Sequence, residues 1–279
     1  VNKDFNWTMF TKCLDNMDLM SEHWYVTAGQ RHAPTQDKNA PAEETLVESV
    51  RQPADVTKGK FETYDEYYKR LPDLKARKIG MIIDEWAFMG GRERGANLMQ
   101  ALGNALVLQE MFRRTDLVKM GGHTSALSSI EYGPDGAALN AVGLTFKLYS
   151  DHFGTIPVQI GGNSPQPAPK HPVSGAQPSV TSGSPTYPLD VSAALSKDGK
   201  LLTVAVVNPT ESAQELDLSF AGVKPGARGR MWTLSGPNVN AQTGLTRHEV
   251  TVKETSLNQA PKTLSVVPLS INIYEFPRQ

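Results

Sequence analysis

Cysteine is nearly missing from this chain. Cys13 is the single one in 279 residues, which excludes an intrachain disulfide and any metal site built on several thiolates. That leaves the compartment open, cytoplasmic or secreted, because many secreted enzymes manage without disulfides. An excess of charge of one sign is missing too. With 28 Lys and Arg against 29 Asp and Glu, the formal net charge is −1, so no global basic surface exists and nucleic acid is not an expected partner. No apolar run approaches the roughly 18–20 residues that cross a bilayer, so no membrane partner is expected either. The opening Val1-Asn2-Lys3-Asp4-Phe5 lacks an initiator Met and the basic and apolar regions of a signal peptide. The chain is therefore expected to begin inside a folded unit, as a piece of a longer protein. Its length suits one large domain or two modest ones.

Two halves differ in pattern. Up to Asp151, helix-like and strand-like segments alternate, which predicts βα units around a parallel sheet. Phe10, Leu14 and Met17 carry helical spacing, and Met17 to Val26 reads as a short strand. Residues 29–60 are polar and contain proline, which predicts a long loop with one helical turn near Glu43 to Val50. Tyr64, Tyr67, Tyr68 and Leu71 form a helix face that Pro72 ends. A strand follows over Lys78–Asp84, then a helix over Glu93–Arg113 with the stripe Leu98, Ala101, Leu102, Ala105, Leu108, Met111 and Phe112. Leu117 to Met120 predicts another strand and Leu144 to His152 another helix. Residues 163–188 hold seven prolines among Ser, Gly and Thr, a loop composition. From Leu189 the apolar period becomes two. Asp198-Gly199 between two apolar runs is a hairpin signal, and the alternation of Leu216 to Phe220 and Leu269 to Ile273 predicts an antiparallel sandwich.

The chemistry concentrates in Lys78 to Phe88. An apolar run, Ile79, Met81, Ile82 and Ile83, stops on Asp84 and Glu85, and Trp86 follows. Apolar residues at both alternating positions fit a parallel strand covered on both faces, and the carboxyl end of such a strand is where α/β barrels hold their active sites. Burying acids there costs several kcal/mol unless they are paired or hydrogen-bonded. Glycosidic bond cleavage uses two carboxyl groups flanking the bond, and Glu85 is the leading candidate for one of them. The plainer reading is that Asp84 and Glu85 cap the next helix or pair with Arg92 and Arg94.

His23-Trp24-Tyr25 closes the preceding strand. A Tyr25 hydroxyl on a neighbouring strand can donate to Glu85 and hold its rotamer. His23 can bond a sugar hydroxyl, and Trp24 or Trp86 can stack on a ring face; core packing is the alternative for an aromatic-rich strand end. His123, after Gly121-Gly122 at another strand end, can line the same pocket or sit satisfied under a loop. No His, Asp or Glu spacing resembles a metal site, Gly90-Gly91 is no phosphate loop, and Ser128-Ser129 has no nucleophile-elbow context. No metal or cofactor is expected.

These segments, in this order, resemble the carboxyl-terminal part of glycoside hydrolase family 51, best known for α-L-arabinofuranosidases. Met17 to Tyr25 resembles the family's Asp-x-hydrophobic-Ser-x-His-x-Tyr segment at barrel strand six. Ile82-Ile83-Asp84-Glu85-Trp86 resembles its Asp-Glu-Trp motif at strand seven. Val204 to Asn208 and Leu264 to Phe276 resemble strands of its accessory β-sandwich. The resemblance implies a partial (β/α)8 TIM barrel, strands six to eight, over residues 1–154, and a β-sandwich over 155–279. It implies a retaining hydrolase with Glu85 as nucleophile, Tyr25 as its hydrogen-bond partner, and His23 and Trp86 in the pocket. The implied substrate is a terminal α-L-arabinofuranosyl residue on an arabinose-containing oligosaccharide or polysaccharide such as arabinan or arabinoxylan.

Three departures stand out. Ala87 replaces the Asn that commonly follows Asp-Glu-Trp, Thr124-Ser125 replaces an Ala-Gln pair after strand eight, and the Asn-Glu pair carrying the acid/base has no counterpart. The acid/base is thus expected from the amino-terminal half of the same enzyme, the principal partner this chain would need. Hydrolysis of β-glucan or xylan backbones, and a non-catalytic carbohydrate-binding remnant, are the alternatives. A homo-oligomer is left open.

Overall fold

The computed structural model describes residues 3–27, 45–89, 96–124, 129–165, 167 and 184–279. Helix α1 (Lys3–Lys12) and a short 3-10 turn (Leu14–Asn16) lead into strand β1 (Leu19–Thr27). Helices α2 (Leu46–Arg70) and α3 (Pro72–Ala76), strand β2 (Gly80–Met89), helix α4 (Leu98–Arg113) and strand β3 (Val118–His123) follow. A small hairpin, β4 (Ile130–Gly133) and β5 (Gly136–Leu139), precedes helix α5 (Ala141–His152). The remaining strands are β6 (Ile156–Val158), β7 (Asp190–Leu195), β8 (Leu201–Asn208), β9 (Gln214–Asp217), β10 (Gly229–Ser235), β11 (Thr251–Leu257), β12 (Thr263–Val266) and β13 (Ser270–Pro277).

Strands β1, β2 and β3 form a three-stranded parallel sheet in that order. Period-two alternation sorts β1 cleanly: Met20, Glu22, Trp24 and Val26 are buried, while Leu19, Ser21, His23 and Tyr25 are exposed. The buried face packs under α1, α2 and α4, through Phe10, Phe61, Tyr64, Tyr67, Val107 and Met111. The sequence pattern predicts both faces covered; among the described residues only the helix face is. Asp84, Met89 and Met120 are exposed, and no described strand pairs with the outer edge of β1 or β3.

The second sheet is six-stranded, in the order β11-β10-β13-β8-β7-β6, and its pairs are antiparallel. The Asp198-Gly199 turn joins β7 to β8 as expected, with Gly199 at φ 70°, a conformation that suits glycine. On one face Ala205, Val207, Ile271 and Ile273 meet Leu98, Ala101, Leu102, Ala105 and Leu106 of α4 and Leu148 and Tyr149 of α5 in one core. On the other face Leu264 and Val266 of the β9–β12 ribbon cover Val191, Val204, Val206, Tyr274 and Phe276. Among the described residues none of the sheets closes into a barrel.

Helix α2 departs most from expectation, since the predicted loop over 29–60 is helical from Leu46 onward and residues 28–44 lie outside the described residues. A capping box of Thr45 and Glu48 starts it. Its inward face is largely polar: Arg51, Gln52, Thr57, Lys60 and Thr63 are buried. Three of them have buried partners on other elements, Arg51 on Asp190, Lys60 on Glu22 and Thr57 on Trp24, so polarity pointing inward hides the helical period. The proline-rich segment lies mostly outside the described residues, with its two ends joined where Ser164 donates its N–H to the Pro185 carbonyl at 3.1 Å.

Candidate active site

Strict alternation would send Asp84 and Glu85 to opposite faces of β2. The pairing with β1 prevents this. Ser21 pairs with Ile82 and Glu22 with Ile83, but His23 pairs with Glu85, so one extra residue is accommodated in β2 at Asp84. Such a bulge re-aims a side chain at a strand end. Here it brings both carboxylates against the open-face residues of β1. On the other side β3 comes close, and Gly122 permits it: a Cβ there would sit 3.0 Å from the Asp84 carbonyl oxygen.

The polar groups of the open face are tightly connected. The Ser21 hydroxyl donates to Asp84 Oδ1 at 2.6 Å, and His23 Nε2 lies 2.9 Å from the same oxygen. His23 Nδ1 lies 3.5 Å from Glu85 Oε2, which also receives the Tyr25 hydroxyl hydrogen. The Thr124 hydroxyl sits 3.2 Å from the Tyr25 oxygen, and the Thr124 backbone N–H donates to the Trp86 carbonyl, tying the end of β3 to the site. The Ser21 hydrogen bond, helped by His23, holds the Asp84 carboxyl below the usual carboxylate range. The Tyr25 phenol is pushed up, chiefly because its hydrogen serves Glu85. Each of His23, Asp84 and Glu85 is 44–46% exposed at its side chain, so the constellation faces outward.

Glu85, Tyr25 and His23 are therefore brought together. The other expected contacts are not. Trp24 points to the helix side, 6% exposed, with its indole N–H on the Thr57 hydroxyl at 3.1 Å and the Lys60 ammonium over its ring. Its expected role in stacking on a sugar is corrected: alternation places it with Glu22 and Val26, in the core. Trp86 is 2% exposed and packs edge-on with His123 and Phe146, at ring distances of 4.9 and 6.0 Å. It is floor beneath the site rather than a stacking wall. His123 is wedged between Trp86 and Phe146, its Nε2 buried without a partner among the described residues, and burial lowers its pKa to about 4. Neither ring offers the open face the stacking or binding surface expected of it.

Glu22, the nearest further acid in β1, is also excluded from the face that holds Glu85. It is buried on the helix side, accepting from Asn6 at 2.5 Å, Lys60 at 2.9 Å and Tyr64 at 3.1 Å. Arg92 and Arg94, the partners in the plainer reading of the acids, lie outside the described residues; the described partners of Asp84 and Glu85 are Ser21, His23 and Tyr25. The sequence does not single out Ser21 as a site member, nor Asp84. The adjacency of Asp84 to Glu85 is visible in the sequence, but the bulge that turns it to the same face is not.

No protein-family model matches the sequence, and no curated protein matches it. Solved structures do. An α-L-arabinofuranosidase from Thermotoga maritima, in complex with arabinose, is similar over 99% of this chain and 56% of its own, at 19% identity and a TM-score of 0.72. A thermostable family 51 α-L-arabinofuranosidase from Thermotoga petrophila covers 92% of this chain and 52% of its own, at 21% identity and a TM-score of 0.69. A bifunctional glucanase-xylanase from a metagenome library covers 97% of this chain and 46% of its own, at 13% identity and a TM-score of 0.52. At these identities the likeness is one of fold. The chain spans about half the length of the enzymes it matches.

Proposed function

We propose that this chain is the carboxyl-terminal part of a family 51 glycoside hydrolase that releases terminal α-L-arabinofuranosyl residues from arabinan, arabinoxylan or their oligosaccharides. The observation that carries the reading is the Tyr25–Glu85 hydrogen bond between adjacent parallel strands. It ties a carboxylate to a fixed donor at the carboxyl end of a sheet, the place such enzymes use for chemistry. In this reading β1, β2 and β3 are strands six to eight of a (β/α)8 barrel within residues 1–154. The six-stranded sheet with its ribbon is the accessory β-sandwich within 155–279, the proline-rich loop included. The sheet face and strand edges left uncovered among the described residues are where the amino-terminal half would complete the barrel.

The Glu85 carboxylate attacks the anomeric carbon, forming a glycosyl ester as the bond to the leaving oxygen breaks. A second Glu, contributed by the amino-terminal half, gives that oxygen its proton. The same group then removes a proton from water as the water cleaves the ester, returning Glu85 ionised. Tyr25 holds the carboxylate in line for attack, and His23 lies beside it within reach of a sugar hydroxyl. No metal is needed in this scheme.

The test is chemical rescue in the complete enzyme. Glu85→Ala should lower kcat by several orders of magnitude, and added azide should restore turnover with an inverted glycosyl azide as product. Near-normal turnover without azide would overturn the nucleophile assignment. A second reading, hydrolysis of β-glucan or xylan backbones, is favoured by the likeness to the glucanase-xylanase. A panel of nitrophenyl glycosides and polymers separates the two.

A further inference from the structure

The Tyr25 hydroxyl faces two groups. Its hydrogen goes to Glu85 Oε2, because an ionised carboxylate can only accept. A phenol has one hydrogen. At the second contact, the Thr124 hydroxyl 3.2 Å away, Tyr25 is therefore the acceptor and Thr124 the donor. Donation runs from Thr124 to Tyr25 to Glu85. It starts one residue past the end of β3, crosses the middle strand to β1 and returns to β2, linking outer strands that do not pair with each other. Thr124 is placed for this by its own backbone, whose N–H donates at 2.9 Å to the carbonyl of Trp86, the residue after Glu85. The two contacts act oppositely on the phenol: Glu85 pushes its pKa up, and Thr124, by donating to the oxygen, pulls it down.

We propose that Thr124 is a positioning residue that orients and strengthens Tyr25 as the donor to Glu85. This rests on the assignment of Glu85 as nucleophile. With the Thr124 hydrogen on one side of the phenol oxygen, turning the Tyr25 hydrogen away from Glu85 sets donor against donor. Each bond in such a chain also polarises the next. The support counts most in the second half of the reaction. There water attacks the anomeric carbon, its proton passes to the second Glu, and the electron pair of the breaking C–O bond returns to the Glu85 carboxylate. A well-held donor beside that carboxylate makes it a better leaving group. In the first half the same donor steadies the direction of attack at some cost in nucleophilicity. Thr124 thus serves breakdown of the glycosyl ester more than its formation.

Two measurements on the complete enzyme test this, with Thr124→Val, which keeps the shape without the hydroxyl, and Thr124→Ser, which keeps the hydroxyl. The first uses a dinitrophenyl α-L-arabinofuranoside, whose leaving group departs fast enough for ester breakdown to limit turnover. Thr124→Val should lower kcat roughly two- to fourfold and KM with it, leaving kcat/KM near wild type. Thr124→Ser should restore both. An unchanged kcat, or a fall in kcat/KM as large as that in kcat, would overturn the proposal, because a merely structural role disturbs ester formation as well. The second measurement is the titration of Tyr25, followed by the carbon-13 resonance of its Cζ and identified by its loss in Tyr25→Phe. It needs no turnover. The acids that act on the phenol, Glu85 and Asp84, and His23 beside it are the same in both Thr124 variants. Thr124→Val should raise the phenol's pKa by about one pH unit, and Thr124→Ser should leave it at the wild-type value. An unmoved titration in Thr124→Val would overturn the proposal even in an active enzyme. Failure of the wild type to cleave the arabinofuranoside would count against the glycosidase reading, while the titration would still decide whether Thr124 donates to Tyr25.

Discussion

At the scale of single residues, His123 offers the sharpest consequence of burial. Its ring is neutral in the fold, held at a pKa of about 4 against an ordinary 6.5 because burial disfavours the charged form. As pH falls below 6.5, the unfolded chain takes up a proton that the folded one refuses. Stability is therefore fully present above pH 6.5 and is lost progressively toward pH 4. His123→Phe, which keeps an aromatic ring between Trp86 and Phe146, should show a smaller drop in Tm between pH 7 and pH 4.5 than the wild type. Equal drops would mean that carboxylates alone account for the acid sensitivity. Much of this scale was legible beforehand. Glu85, Tyr25 and His23 meet because adjacent strand ends meet, and the sequence pattern places them there. Trp24 is a correction, since alternation with His23 and Tyr25 assigns it to the other face, against its expected stacking role. The turn of Asp84 to the site was not legible, because a bulge depends on the partner strand and leaves no local mark.

At the scale of elements, α2 is held by a buried ionic knot. The Asp190 carboxylate, fully buried at the start of β7, accepts from Arg51 of α2 at 3.2 Å and from Arg113 of α4, which also reaches Glu110 at 2.9 Å. Burial raises the Glu110 pKa, while Asp190 and Glu110 raise that of Arg113. Removing one member leaves the others as uncompensated buried charges, which costs far more than a surface pair is worth. Asp190→Ala should lower unfolding free energy by about 3–5 kcal/mol, read from urea denaturation of the complete protein. A loss under about 1 kcal/mol, the range of an exposed pair, would show that water reaches the knot. The same chemistry explains why the first part of α2, up to Lys60, reads as a loop in the sequence while Tyr64 to Leu71 reads as helix. Pro53 and an inward face of Arg, Gln, Thr and Lys imitate loop composition, and their partners lie far away in sequence, Arg51 and Asp190 being separated by 139 positions. By contrast α5 and the β7–β8 hairpin were readable, because their apolar periods and turn residues are local.

At the scale of the whole molecule, the account turns on an unfinished sheet. Among the described residues, three parallel strands have one bare face and two unpaired edges, which invite further strands, and the matched enzymes are about twice as long as this chain. The open face over Asp84 and Glu85 among the described residues needed the structure, because strand alternation alone predicts both faces covered. The most direct test is covalent trapping in the enzyme reassembled by co-producing this chain with its proposed amino-terminal half. The preparation is treated with a slowly hydrolysed 2-fluoro-arabinofuranoside, quenched in acid, digested and analysed by mass spectrometry. The account predicts that the chain alone is inactive and unlabelled, and that the reassembled enzyme carries one pentosyl group on the peptide containing Glu85, on that carboxylate. A label on any other residue, or robust turnover by the isolated chain, would contradict it.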